Sequence, residues 1–139
     1  MQSSIEQLFR IIRNPSMINL CPLALQVLRV FCRTKAAGDV FSTDRIETLL
    51  HLAMLVGEEE AFMTENSQSF DARIVVEAQK CISNLLSISQ TVRKICCSNS
   101  CIEGIMLRLR MHPDPKLPHE VSFLFVFILF FFLIIFIFF

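Results

Sequence analysis

In the stretch SSIEQLFRIIR, residues 3–13, the apolar positions Ile5, Leu8, Phe9 and Ile12 recur at i, i+3, i+4 and i+7. That is the period of one helix face. Ser3 or Ser4 is placed to cap the start. Asn14-Pro15 ends the segment, because a residue before proline is pushed out of helical backbone. The same period marks a second helix over about 22–34, with Ala24, Val27, Leu28 and Phe31 as its stripe and Pro22 at a first-turn position. A third runs over about 44–56, capped by Ser42 or Thr43, with Ile46, Leu49, Leu50 and Ala53 inward. Gly38 in the connector KAAGDVFST suits a helix C-terminus or a turn. Further helices are predicted over about 71–89, 91–97 and 100–111, before the proline-broken run HPDPKLPHE. No strand is predicted, so the fold class is all-α.

Residues 57–69, GEEEAFMTENSQS, read as an acidic surface loop. Adjacent glutamates on such a loop do not converge on one cation, so a solvated linker is expected rather than a metal site. Three Gly and no Tyr or Trp add to the case against strands and turns. With 13 basic and 13 acidic residues the net charge is zero, which leaves no basic face for nucleic acid. The start MQSSIEQLFR lacks the pattern of a secretory signal, so the six Cys are expected to be reduced thiols of a cytoplasmic protein.

Laying ALQVLRVFCR (24–33) over AQKCISNLLS (78–87), an offset of 54, puts Ala24 on Ala78, Val27 on Cys81, Leu28 on Ile82 and Phe31 on Leu85. A small residue followed by large apolar ones suits closely stacked helices. Residues 1–120 are therefore expected to form an armadillo/HEAT-like helical solenoid, with the acidic loop lengthening one repeat. Opposite the apolar stripe, Gln26, Arg29 and Arg33 form a polar stripe, and Glu77, Lys80, Asn84 and Ser87 are its equivalents one repeat later. Side by side, the two would line a polar groove. Two Arg at i and i+4 can fork onto a carboxylate, and Asn can pair with a peptide main chain. Taken alone, each stripe reads first as an ordinary solvated helix face.

Other chemistry is weaker. Cys96, Cys97 and Cys101 lie close together, but His112 and His119 are too far apart in sequence for a usual zinc pair, so no metal is expected. His51, among Leu49, Leu50 and Leu52, is placed as a boundary residue of its helix. There is no glycine-rich phosphate loop or nucleophile elbow, and neither a cofactor nor an ordinary enzyme activity is expected.

Three blocks in register, ALQVLRVFCRTKAAGDVFST, VVEAQKCISNLLSIS and KLPHEV, resemble the N-terminal part of the synembryn family over about Ile18 to Val121. The resemblance implies an armadillo-like cytoplasmic protein that chaperones G-protein α subunits and promotes their nucleotide exchange without being an enzyme. It implies that a concave groove holds the C-terminal helix of a GDP-bound or nucleotide-free Gα. Carried onto this sequence, the matching groove positions are Arg29, Arg33 and Asn84, with Gln26, Lys80 and Ser87 as a possible extension. After His119-Glu120-Val121 the family pattern continues with Lys, where this sequence has Ser122, and with many more repeats. Full exchange activity is therefore not expected of this chain alone. A generic armadillo-like scaffold for another peptide is the alternative.

The segment VSFLFVFILFFFLIIFIFF, residues 121–139, holds nine of the 14 Phe and no charge. As a helix it would be about 28 Å long, and its apolar side chains would favour membrane insertion by about 5 to 11 kcal/mol. Inserted, it would make the chain a tail-anchored membrane protein. Yet Phe, Leu, Ile and Val all share a T in the middle codon position, and Val121-Ser122 can be encoded by an intron start, GTAAGT. Translated non-coding sequence and a membrane segment both remain open.

Overall fold

The computed structural model describes residues 1–55, 71–99, 101, 103 and 104. The acidic loop 57–69, most of the helix expected over 100–111 and the segment 121–139 lie outside the described residues. Within them the chain is all-helical: α1 (Gln2–Ile12), a 3-10 turn (Pro15–Leu20), α2 (Cys21–Phe31), a second 3-10 turn (Lys35–Ala37), α3 (Thr43–Leu52), α4 (Ala72–Ile88) and α5 (Gln90–Ser98). No described helix is long and apolar enough to cross a membrane.

The helix ends show which local signals act. α1 starts one residue before Ser3 and has no side-chain cap, so neither Ser3 nor Ser4 is the cap. At α4, the Asp71 side chain accepts from the backbone N–H of Arg73 at 2.9 Å. The Arg73 guanidinium folds back on the same carboxylate and holds it below the usual aspartate range. Ser89 is a one-residue joint in extended backbone, ending α4 and accepting from the N–H of Val92 at 3.2 Å to start α5. α3 stops at Leu52, earlier than the apolar pattern suggests, because Met54 adopts a left-handed φ of 57°. The N–H of Leu55 then donates to the carbonyl of Leu50 at 2.9 Å, and that of Met54 to His51 at 3.0 Å. This is the paired closure that terminates a helix after a left-handed residue.

α4 packs against both α2 and α3, α1 against α2, and α5 against α3. The core takes Ile5, Phe9 and Ile12 from α1, Ala24, Leu25 and Leu28 from α2, Ile46, Leu49 and Leu50 from α3, and Ala78, Cys81, Ile82 and Leu85 from α4. One stripe needs correcting. Val27 is 44% exposed and Phe31 only half-buried, while Cys21, Leu25 and Cys32 are buried in their place. α2 carries apolar side chains on most of its circumference, and contact with α1 and α4 selects the face centred on Leu25 and Leu28. On that face the 54-residue offset is retained: Cys21, Ala24, Leu25, Leu28 and Cys32 are buried, as are Val75, Ala78, Gln79, Ile82 and Leu86. Gln79, where α2 has Leu25, donates its amide to the carbonyl of Ala53 at 3.1 Å and ties α4 to the end of α3.

Gly38 is needed for space and not for an unusual backbone. Its φ is an ordinary −55°, but a Cβ there would lie 2.9 Å from Cβ and 3.0 Å from Oγ of Ser89, the joint residue. Gly38→Ala is expected to destabilise the chain by about 1–3 kcal/mol, the usual cost of overpacking. A lowered urea midpoint at unchanged slope is the check; an unchanged midpoint would mean that the joint yields freely.

A polar stripe across two helices

Of the groove residues expected from the sequence, Gln26 and Arg29 fall on α2 and Lys80, Asn84 and Ser87 on α4, the two helices that pack together most extensively; Arg33 lies past the end of α2, which stops at Phe31 and not near residue 34. The stripes are joined by an ion cluster that the linear pattern does not reveal. Glu77, on α4, is buried, with 9% of its side chain exposed. Lys80, one turn along, places Nζ 2.9 Å from its Oε1. Arg29 crosses from α2, with Nη1 3.4 Å from Oε1 and 3.1 Å from Oε2. A carboxylate held out of water needs such compensation, and here it receives it from two cations.

The other stripe residues differ in their commitments. Gln26 is exposed on α2 and Arg33 is exposed in the turn after it, and Arg33 makes no ion pair with a described residue. Asn84 is half-buried on α4; its backbone carbonyl accepts from the Ser87 hydroxyl at 2.6 Å, which turns Ser87 back onto its own helix. The side-chain amide of Asn84 has no hydrogen bond to a described residue. Arg29 and Lys80 thus meet one buried acid between α2 and α4, while Asn84 keeps an open amide two turns further along α4. Beyond Gln26 around α2 runs an apolar ridge of Leu23, Val27 and Val30, each exposed. Periodicity alone assigns Val27 to the core, which conceals this ridge.

Elsewhere charge is used for packing. Arg13, at the end of α1, pairs with Asp44 at 2.6 Å and lies 5.4 Å above the Phe9 ring. It also donates to the Thr48 hydroxyl at 2.9 Å, fastening α1 to the start of α3. His51 is exposed on α3. Among the described residues no group of three or more His, Cys, Asp or Glu is arranged to hold a metal.

All six cysteines are free thiols, and five are buried. Cys81 is pushed well up by a hydrogen bond with Cys32 and by burial. Cys101 is pushed up by a hydrogen bond with Cys96 and by burial. These groups stay protonated at neutral pH and are poor nucleophiles. Cys97 is the exposed one, its thiol also raised, chiefly by partial burial. A disulfide reagent at pH 8 is expected to modify one thiol of the native chain quickly and the rest only on unfolding. Cys97→Ser should remove the fast phase; a fast phase that persists would show that a buried thiol is reached.

The described residues are all-helical, and the polar stripes of α2 and α4 are joined through Arg29 and Glu77. The chain belongs to the synembryn family: the family described as guanine nucleotide exchange factor synembryn matches residues 24–133. The match takes in the whole α2–α4 stripe and ends inside the Phe-rich segment. A relative is the chaperone Ric-8A of Gallus gallus, 25% identical over 100 residues, which is 71% of this chain and 18% of that protein. The chain thus spans less than a fifth of the length of that curated relative.

Proposed function

We propose that this chain contributes the N-terminal part of a binding groove for G-protein α subunits, in the GDP-bound or nucleotide-free state, within an armadillo-like helical solenoid. The observation that carries the reading is the coincidence of the family match with the stripe: residues 24–133 contain Gln26, Arg29, Arg33, Lys80, Asn84 and Ser87. Arg29 and Arg33 engage the terminal carboxylate or nearby acids of the Gα C-terminal helix, and the open amide of Asn84 holds its main chain. Gln26, Lys80 and Ser87 extend the groove. Holding that helix loosens the nucleotide site and stabilises the empty protein, so the role is that of a non-catalytic chaperone and exchange factor of the cytoplasm. The 54-residue correspondence of buried positions between α2 and α4 supports the repeat architecture.

The segment 121–139 is read separately, as translated non-coding sequence or as a membrane segment. Sequencing the transcript across the codons for Glu120 and Val121 separates the two, since a verified exon junction there removes the first. The groove reading is tested by binding to GDP-loaded Gα beside the Arg29→Glu/Arg33→Glu variant. Loss of binding supports the reading. Retention by a folded variant excludes the two arginines from the groove, and a folded wild-type chain that does not bind Gα would be a helical scaffold with some other peptide as its ligand.

A further inference from the structure

The ion cluster at Glu77 holds two cations for one carboxylate, and they are not equivalent. Lys80 makes a well-formed 2.9 Å contact from the same helix. Arg29 makes a long 3.4 Å hydrogen bond to Oε1. It approaches Oε2 to 3.1 Å, yet Oε2 accepts no hydrogen bond from a described residue. Its guanidinium makes no other hydrogen bond within the described residues, which leaves its remaining donors unused. Lys80 holds Oε1 by the shorter bond, and Arg29 forms no well-made hydrogen bond to either oxygen. Arg29 is the more loosely bonded of the two.

Resting on the groove reading above, we propose that Arg29 is an exchangeable cation: it is parked on Glu77 in the empty groove and transferred to the ligand's carboxylate on binding. Lys80 stays behind to hold Glu77. Glu77 is then a specificity-determining residue, because it is an internal competitor that an incoming anion must displace. A C-terminal carboxylate delivered by a peptide that also engages Arg33 and Asn84 can compete at high local concentration. An isolated anion or a peptide ending in an amide cannot. Arg33, in the turn just after α2 and unpaired among the described residues, supplies the second arm of the fork. Lys80 thereby acts on the ligand indirectly, by sparing Arg29.

The test uses the full 139-residue chain in a mild non-ionic detergent. Its probe is a synthetic amphipathic peptide with the sequence of a Gα C-terminus, as free acid and as C-terminal amide, and affinity is read by calorimetry. Glu77→Gln, of equal size, should tighten binding of the acid about five- to tenfold, the scale of releasing one partly exposed charge pair. The amide should change by less than about twofold. Lys80→Gln should weaken the acid by about the same factor, since Glu77 then retains Arg29, and should have little effect when Glu77 is already Gln. That non-additivity is the signature. Weaker binding by Glu77→Gln, or an equal loss from Lys80→Gln in both backgrounds, overturns the exchange and leaves Glu77 a structural counter-ion. If wild type binds the acid and Glu77→Gln changes nothing, the exchange fails while the groove stands. If neither peptide binds a folded wild-type chain, the groove reading fails and the exchange with it. Should Glu77→Gln unfold the chain, Lys80→Gln still tests the exchange: acid and amide affinities reduced alike, or an unchanged acid affinity, would overturn it.

Discussion

Replacing Arg29 and Arg33 together by Glu is expected to weaken binding to GDP-loaded Gα by at least about a hundredfold. Each reversal removes a charge-assisted hydrogen bond and sets a negative charge against a negative ligand end, and like-charge juxtaposition costs several kcal/mol. The two sites carry different risks to folding. Arg33 is exposed, so Arg33→Glu alone should leave stability within about 0.5 kcal/mol of wild type and still lower affinity by about tenfold. Arg29→Glu places a second carboxylate beside the buried Glu77, with only Lys80 to offset both. Its effect on binding must be read next to the circular dichroism of the same sample. Arg29→Gln with Arg33→Gln removes the attraction without adding repulsion and should fall between wild type and the double reversal. Unchanged affinity in a folded double reversal would exclude these arginines from Gα recognition.

The second large effect concerns folding. Leu28→Ala is expected to cost about 2–5 kcal/mol, as the loss of a fully enclosed leucine usually does. Leu28 is 0% exposed, and its helix packs against both α1 and α4. Since a domain of this size is stable by only about 5–15 kcal/mol, the substitution should remove a large share of the total. Val27→Ala, its immediate neighbour, should change stability by less than about 0.5 kcal/mol, because Val27 is 44% exposed and leaves no cavity. Urea denaturation of the pair measures this directly. Comparable losses at the two positions would mean that residues 23, 27 and 30 are covered in the folded protein.

Several features of the site are legible in the residues alone. The two stripes stand out on separate helices, and the two helices do lie against each other. The partner of Arg29 is not legible in this way. Glu77 belongs visibly to its stripe but has no evident role there, since it lies 48 residues from Arg29 and nothing in a linear pattern tells which charges will meet. The expected cap at Ser3 or Ser4 fails because a serine near a start is a preference, and nothing in the residues before it stops the backbone from continuing helical. Gly38 suggests backbone freedom, while its importance lies in the approach of Ser89.

By itself, then, the sequence determined the properties that are local: where helices form, from the 3.6-residue recurrence of apolar side chains, and where they stop, at Asn14-Pro15 and at Ser89. It also placed apolar residues of α2 and α4 in correspondence at an offset of 54, and five pairs of positions at that offset are buried. Tertiary structure decided what depends on distance in space. A helix apolar over most of its circumference, like α2, is compatible with more than one buried face, and only contact with α1 and α4 chose Leu25 over Val27. The same contact brought Glu77 under Arg29, converting two independently solvated stripes into one charged surface whose properties neither helix has alone.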